Sequence, residues 1–219
     1  MIKLSKRLET IASFIDENDD VLDIGCDHAL LDIYLSKKYS KIYYASDLRE
    51  SALDMARSNI KKYDADKVIL KCGNGLEVID ESNKINTIII SGMGYLSITN
   101  ILRNIRYKKE IKKVVIQSNS NPEIVRKFMI KNGFYIDKEL LVKDKNIFYV
   151  VSSFKRGRRK YNSVDKEVGI MAGSILNDYI DIELKKNTIL LKVIPKKHFY
   201  RRMQVKRKIN LLKKRILNK

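Results

Sequence analysis

Val21-Leu-Asp-Ile-Gly-Cys-Asp-His28 predicts a buried strand that runs into a tight turn lined with carboxylates. The apolar run ends at Ile24, and Gly25 lets the backbone turn where a side chain would clash. Residues 29–35 then carry the apolar spacing of a helix start. The sequence therefore predicts a strand–turn–helix unit whose turn lies where such units bind ligands.

The composition of this turn argues against a pyrophosphate ligand. A dinucleotide turn needs Gly-x-Gly-x-x-Gly so that backbone N–H groups approach the phosphates, but Asp27 and Leu30 occupy the second and third glycine positions. Asp23 and Asp27 instead favour a ligand with an ammonium or sulfonium group, because carboxylates attract cations. S-adenosylmethionine carries both groups. The alternative for Asp27 is a helix N-cap, with His28 in the first turn.

Two further strand ends place polar groups beside this turn. Asp47, followed by Leu48, ends the run 42–46, about 20 residues past the turn, where an acidic residue can hold both ribose hydroxyls. Asn74 and Gly75 follow the run 68–70, and the Asn74 amide suits an adenine edge. Three successive strand ends therefore present polar groups suited to one nucleoside.

A fourth predicted strand, residues 85–90, opens into Ser91-Gly-Met-Gly-Tyr95. Its continuous β-branched residues indicate a central parallel strand that is buried on both faces. Gly92 and Met93 would bring backbone groups close to a ligand, and Tyr95 could stack on a base. The alternative for Tyr95 is a core residue at a strand-to-helix connection.

The N-terminal segment predicts a helix over residues 3–15 with apolar residues on one face. Arg7 lies beside that face and would reach a cofactor carboxylate if the helix covers the site. A solvated charge is the alternative for Arg7.

The order of elements predicts the fold class. Strand and helix patterns alternate five times, and an antiparallel hairpin over residues 134–142 and 147–154 follows. The prediction is an α/β doubly wound sheet with an antiparallel edge strand, the Rossmann-like layout of class I methyltransferases. We expect this domain to span residues 1–154.

Composition limits the environment of the protein. No apolar run approaches the length that a bilayer requires, and the N-terminus lacks the apolar centre of a signal peptide. Cys26 and Cys72 lack metal-ligand spacing and fit a reducing compartment. We expect a soluble, cytoplasmic, monomeric protein without a metal.

Positive charge is concentrated towards the C-terminus. Residues 1–154 carry 25 basic and 21 acidic side chains, whereas residues 155–219 carry 20 and 5. A basic excess of this kind indicates a polyanionic partner, and nucleic acid is the commonest one. A general enrichment in lysine is the alternative, but it would not explain the asymmetry.

Residues 155–219 predict a separate helical domain. Apolar residues from Val164 to Ile189 indicate one long helix, Pro195 interrupts it, and Phe199 to Ile216 indicate a second. Together they predict an antiparallel coiled-coil hairpin with a basic exposed face. The predicted nucleic-acid contacts are Arg156, Arg158, Arg159, Lys160, Arg201, Arg202, Lys206 and Arg207.

Several segments together resemble the bacterial tRNA (adenine(22)-N1)-methyltransferases: Lys3-Leu-Ser-Lys-Arg-Leu8, Asp23-Ile-Gly-Cys-Asp-His-Ala29, Gly73-Asn-Gly-Leu-Glu-Val78, Gly92-Met-Gly94 and Gln117-Ser-Asn119. The resemblance covers the whole chain. It implies an S-adenosylmethionine-binding domain and a helical domain that helps to grip tRNA. The cofactor contacts that it implies are Arg7, Asp23, Gly25, Asp27, Asp47, Asn74, Gly75 and Gly92, to which we add the neighbouring residues His28, Leu48 and Met93.

The expected reaction is methyl transfer to N1 of adenine 22, and we expect positioning to carry most of the rate. Asp27, His28 and Tyr95 are the predicted catalytic residues. Tyr95 would support the unstacked base, Asp27 would stabilise the positive product, and either Asp27 or His28 could accept a proton. Two alternatives are an NAD-dependent oxidoreductase, which the missing glycines disfavour, and a non-catalytic RNA-binding protein. A methyltransferase that acts on another RNA adenine is a third.

Overall fold

The computed structural model describes residues 2–80 and 83–217. The chain divides into two compact units, with the boundary between Arg158 and Arg159. The boundary predicted between residues 154 and 155 lies too early, because the last strand of the sheet continues to Arg156.

A seven-stranded sheet with helices on both faces makes up the first unit. Its strands are β1 (Val21–Ile24), β2 (Tyr43–Asp47), β3 (Val68–Cys72), β4 (Thr87–Met93), β5 (Lys113–Ser118), β6 (Phe134–Asp144) and β7 (Ile147–Arg156). Its helices are α1 (Lys6–Ala12), α2 (Leu30–Tyr39), α3 (Glu50–Lys62), α4 (Tyr95–Ile101) and α5 (Pro122–Lys131). Short 3₁₀ turns cover Gly75–Val78 and Ile105–Tyr107.

The strand order is β3-β2-β1-β4-β5-β7-β6. The first five strands of this order are parallel, whereas β7 runs antiparallel to β5 and to β6. The order reverses between β1 and β4, and ligands of doubly wound sheets bind at such a reversal, beyond the carboxyl ends of the strands. The predicted Rossmann-like fold with an antiparallel edge is therefore confirmed.

Burial explains why the central strands were recognisable. Every residue of β1 and of β5 is buried, and so are the first four residues of β4. A strand covered on both faces needs apolar residues without alternation, which the sequence supplies.

Several boundaries differ from the predicted ones. Helix α1 is shorter than residues 3–15 because Ser5 caps it, with the Ser5 hydroxyl accepting from the Leu8 N–H at 3.4 Å. Strand β4 extends past residue 90, because Ser91 and Met93 still pair with β5.

The second unit contains α6 (Ser163–Val168), α7 (Leu176–Val193) and α8 (Phe199–Leu217). The single long helix predicted from Val164 to Ile189 is wrong, because Gly169 (φ 100°) and Gly173 (φ 122°) break it. Helix α8 packs against both α6 and α7, and five residues connect α7 to α8. The coiled-coil geometry of this helix pair stays a prediction.

Candidate functional site

A cavity of about 400 Å³ lies at the carboxyl ends of the central strands. It is lined by residues of α1, of the β1–α2 turn, of the β2 end and of the β4 end: Arg7, Leu8, Asp23, Gly25, Cys26, Asp27, His28, Leu30, Leu31, Asp47, Arg49, Ser91, Gly92 and Met93. Eight of the predicted cofactor residues therefore border one space. The size suits a small ligand rather than a polymer.

Arg7 is held in place above the strand ends. Its Nη1 donates to Gln117 Oε1 at 2.7 Å, its backbone N–H donates to Asp144 Oδ2 at 3.3 Å, and its guanidinium lies 5.6 Å from the ring centroid of Tyr149. These three contacts come from β5, β6 and β7. Arg7 is thus a positioned cation of the cavity, and the alternative of a solvated surface charge is wrong.

Asp23 is the buried anion of the same cavity. Desolvation by burial raises its pKa from 3.8 to about 7, and Asp47 raises it further, while Asp32 and Arg7 act in the opposite direction. Asp32, in the first turn of α2, is completely buried, and its pKa also lies well above 3.8, mainly through desolvation. Two buried carboxyls side by side cannot both ionise readily, so the pair shares a proton at neutral pH.

Asp32 is a residue that sequence reasoning missed. An acidic residue in the first turn of a helix is ordinary, because it complements the helix dipole, and only the tertiary structure places it against Asp23. The unusual feature of Asp32 is that it is buried. The sequence of α2 gives only a weak indication of this burial, because Asp32 stands between the apolar residues Leu31 and Ile33.

Asp47 ends β2 and is nearly buried at the cavity edge. Its Oδ1 accepts from the Arg49 backbone N–H at 3.0 Å and lies 3.6 Å from Arg49 Nε. Arg49 also borders the cavity and was not predicted. Asp47 therefore keeps a carboxylate at the site, in the position where an acidic residue can accept from ribose hydroxyls.

The β1–α2 turn has an unusual backbone. Gly25 (φ 79°), Asp27 (φ 50°) and Ala29 (φ 53°) all adopt positive φ, and Ala29 directly precedes α2. Ala29 is the N-cap residue, so the alternative of Asp27 as the helix N-cap is wrong. The Asp27 side chain is exposed, with Oδ2 3.4 Å from His28 Nε2, at the rim of the cavity.

Gly25 adopts positive φ and lies directly beneath the Met93 side chain. A Cβ added there would lie 2.1 Å from Met93 Cε, because the Met93 side chain crosses the turn. Gly92 (φ 76°) is held by β5, with its N–H donating to Gln117 Oε1 at 3.1 Å and its carbonyl accepting from Asn119 Nδ2 at 2.6 Å. Gln117 thus connects Arg7 to the Gly92 backbone.

Four predicted residues do not line this cavity. Leu48 is exposed beyond β2, and Gly75 is buried in its 3₁₀ turn, next to Ile101. Asn74 borders separate, smaller grooves, one of them shared with Glu77 and Lys108. Tyr95 is half-buried as the first residue of α4, where its N–H donates to Ser120 Oγ at 3.3 Å.

Both cysteines are free thiols. Burial raises the pKa of Cys26 far above its usual value, and the nearby carboxyls of Asp32, Asp23 and Asp47 raise it further. The Cys26 thiol therefore stays protonated at neutral pH and is a poor nucleophile.

Two of the predicted nucleic-acid contacts have other partners. Arg156 belongs to β7, and its guanidinium donates to the carbonyls of Ile111 (2.9 Å), Ile105 (3.2 Å) and Lys108 (2.6 Å). Arg202 Nη1 donates to the Leu191 carbonyl at 2.7 Å and to the carbonyl of Ile194. The structure thus corrects their assignment, because both side chains hold the fold.

The other six predicted contacts have exposed side chains: Arg158, Arg159, Lys160, Arg201, Lys206 and Arg207.

A family model described as a methyltransferase domain matches residues 4–152. The chain belongs to this methyltransferase-domain family. The matched residues contain the whole cavity, so the site described above is the site of a methyltransferase domain. This assignment removes the oxidoreductase alternative.

Two relatives extend the similarity beyond that domain. The tRNA (adenine(22)-N(1))-methyltransferase of Bacillus subtilis is 29% identical over 197 residues, which cover 87% of this chain and 79% of the relative. A Mycoplasma genitalium protein assigned as a tRNA methyltransferase is 30% identical over 181 residues, which cover 80% of this chain and 79% of that protein.

Solved structures of two proteins are also similar to this chain over nearly its whole length. A Streptococcus pneumoniae protein described as a tRNA (m1A22) methyltransferase, in complex with S-adenosyl-L-methionine, has a TM-score of 0.86 at 26% identity and covers 97% of this chain and 99% of that one. Mycoplasma capricolum TrmK in complex with S-adenosyl-homocysteine has a TM-score of 0.84 at 26% identity and covers 97% of both chains.

Within residues 2–80 and 83–217, no helix combines the length and apolarity needed to cross a bilayer. Over the same residues, His, Cys, Asp and Glu side chains form no group of three or more that could hold a metal ion.

Proposed function

We propose that this protein transfers the methyl group of S-adenosylmethionine to N1 of adenine 22 in tRNA. The observation that carries the proposal is the pair of opposite charges, Arg7 and Asp23, on one cavity of a methyltransferase domain. An amino-acid zwitterion needs such a pair, because its carboxylate and its ammonium are recognised separately. The relatives and the basic second unit support tRNA as the substrate.

The cavity residues fit this cofactor. Asp23 Oδ1 is buried and has no hydrogen-bond partner within residues 2–80 and 83–217, so the carboxylate has unused acceptor capacity for an ammonium. Arg7 would hold the cofactor carboxylate, and Asp47 would accept from the ribose hydroxyls. Gly25, which adopts positive φ, borders the cavity without a side chain of its own.

Bound S-adenosylmethionine supplies a methyl group that is activated by a positively charged sulfur. Adenine N1 attacks through its own lone pair, so no residue of the chain has to remove a proton first. Asp27 at the rim would stabilise the positive charge that arrives on the adenine, and His28 lies within reach of Asp27. Tyr95, at the start of α4, would support the base once it has left its stack.

The second unit supplies the electrostatic attraction for tRNA. We propose as phosphate contacts Arg159, Lys160, Arg201, Lys206 and Arg207 of this unit, together with Arg158 at the end of the first unit, since their side chains are exposed. Arg156 and Arg202 are left out of this set because backbone carbonyls already bind their guanidinium groups. A monomeric state and a cytoplasmic location stay predictions.

The direct test is incubation with labelled S-adenosylmethionine and unmodified tRNA, followed by nucleoside analysis and mapping. We expect 1-methyladenosine at position 22 only, and no transfer to a matched tRNA with guanine at that position. Methylation of another nucleotide would refute the proposed site but not the cofactor. Binding of both ligands without transfer would favour the non-catalytic alternative.

The cofactor half of the proposal has its own test. Arg7→Ala and Asp23→Asn should each weaken S-adenosylmethionine binding measured by calorimetry, whereas Arg57→Ala should not, because Arg57 is exposed on α3 and pairs there with Glu50 and Asp54. Unchanged affinity in both cavity variants would refute the assigned contacts.

A further inference from the structure

The end of the helix pair in the second unit exposes aromatic and apolar side chains. Helix α7 ends at Val193, helix α8 begins at Phe199, and residues 194–198 connect them. The exposed fractions are 69% for Val193, 73% for Phe199, 69% for Tyr200 and 47% for Met203. We call these four residues and residues 195–198 the hairpin tip.

The tip side chains are not part of the core of their unit. That core is formed by other residues, which are nearly completely buried: Val168, Met171, Leu176, Ile180, Ile194, Val205, Leu211 and Leu212. Met203 is four residues from Phe199 and three from Tyr200, so its side chain neighbours both rings on the surface of α8. The three exposed side chains therefore lie together at the start of α8, outside the buried core of this unit.

The backbone of the tip is held firmly. Arg202 donates to the carbonyls of Leu191 and Ile194 at the end of α7, and the His198 N–H donates to the Pro195 carbonyl at 3.0 Å. Pro195 also fixes its own φ. A surface ordered in advance binds with a smaller loss of conformational entropy.

The charge around the tip selects the class of partner. Residues 194–207 contain Lys196, Lys197, Arg201, Arg202, Lys206 and Arg207, and no aspartate or glutamate. A second copy of this chain would bring the same positive charges face to face, which is unfavourable. A polyanion with flat apolar rings complements both the charge and the exposed aromatic side chains, and unpaired nucleotides have this chemistry.

We propose that the hairpin tip is a stacking platform for an unpaired nucleobase in a loop of the tRNA. Phe199 and Tyr200 would contact the base, and Lys196, Lys197 and Arg201 would neutralise the adjoining phosphates. A loop is required because bases inside a duplex do not expose their faces. The proposal rests on tRNA as the substrate and adds a contact that does not depend on phosphate charge.

The test separates stacking from charge. Phe199→Leu/Tyr200→Leu keeps the apolar surface but removes the rings, and it should weaken tRNA binding about 5- to 150-fold while the slope of log affinity against log salt stays unchanged. Lys196→Gln/Lys197→Gln should instead reduce that slope by about 1.4 to 1.8. Phe199→Trp should bind like the wild-type protein.

The matched control is Leu217→Ala, which removes an exposed apolar side chain at the other end of α8. It should leave tRNA affinity unchanged. All variants should bind S-adenosylmethionine normally, and their circular dichroism should match that of the wild-type protein, because the substituted side chains are exposed.

Three results would overturn the platform. The first is a double leucine variant that binds tRNA like the wild-type protein, and the second is a variant whose affinity falls together with a change in the salt slope. The third is a wild-type protein that self-associates, with a double leucine variant that is dissociated but keeps its tRNA affinity. The results that refute the platform can be distinguished from those that refute the proposed function. Methylation only at another nucleotide, with affinity that still needs the rings, refutes the proposed function and supports the platform. A wild-type protein that does not bind tRNA refutes both.

Discussion

Asp32→Asn should stabilise the protein, and the gain should grow as pH rises. Asp32 is completely buried beside Asp23, and desolvation holds its pKa well above the ordinary value of 3.8. Asparagine has nearly the shape of the protonated carboxyl. The substitution therefore preserves the packing around position 32 and removes a titratable group.

The sign follows from the two states of the chain. Asp32 keeps its proton to a higher pH in the folded protein than in the unfolded one, so the folded state binds more protons and loses stability as pH rises above 3.8. Over the pH range in which Asp32 is protonated in the folded protein and ionised in the unfolded one, this loss grows by about 1.4 kcal/mol per pH unit. The Asp32→Asn variant lacks that loss, because its amide does not titrate. In the wild-type protein Asp23 adds a loss of the same sign, up to its pKa of about 7.

The assay is a urea titration at pH 5, 6 and 7 that yields the free energy of unfolding. Unfolding is monitored by amide hydrogen exchange in peptides from β1 and β4, so that only the unit with the sheet is measured. Asp66→Asn is the control, because it removes an equal charge from an exposed position. Its effect should stay within about 0.5 kcal/mol at every pH.

Two results would refute the reasoning about the carboxyl pair. A gain for Asp32→Asn that does not change between pH 5 and 7 would mean that Asp32 does not titrate on unfolding. A loss of stability at pH 7 would mean that the folded protein needs Asp32 as an anion.

Three further variants test the site and the second unit. Gly25→Ala should destabilise the protein by about 1–2 kcal/mol in thermal melts, because its φ of 79° disfavours a Cβ. Adding Met93→Ala to this variant should recover only the part of that loss that comes from the contact with the Met93 side chain. Arg7→Lys should weaken S-adenosylmethionine binding about 10-fold by calorimetry, because the ammonium keeps the charge but cannot form the two parallel N–H contacts of a guanidinium with a carboxylate; equal affinities would contradict this role. Removal of residues 159–219, which leaves β7 intact, should weaken tRNA binding and flatten its salt dependence without changing cofactor affinity, and an unchanged salt slope would exclude an electrostatic role of this unit.

The sequence by itself determined the order of elements and the place of the site. Buried parallel strands need continuous apolar runs, and these runs are local and readable. Gly25 and Gly92 could be recognised as turn positions because Gly25 directly follows such a run and only Ser91 separates Gly92 from the next one. The charge asymmetry is likewise a property of composition, so it required no coordinates.

The tertiary structure alone decided which polar groups meet. Asp23 faces Asp32, Arg7 is oriented by Gln117, and Arg156 reaches backbone carbonyls about 45 to 51 residues away in the chain. Side-chain partners of this kind follow from the packing of distant elements and leave no periodic trace in sequence. Sequence therefore predicts a phosphate contact for any basic residue in a basic segment, and only the structure shows which acceptors its N–H groups already bind. Sequence likewise predicts that an aspartate in a first helical turn complements the helix dipole, and only the structure shows that Asp32 is buried.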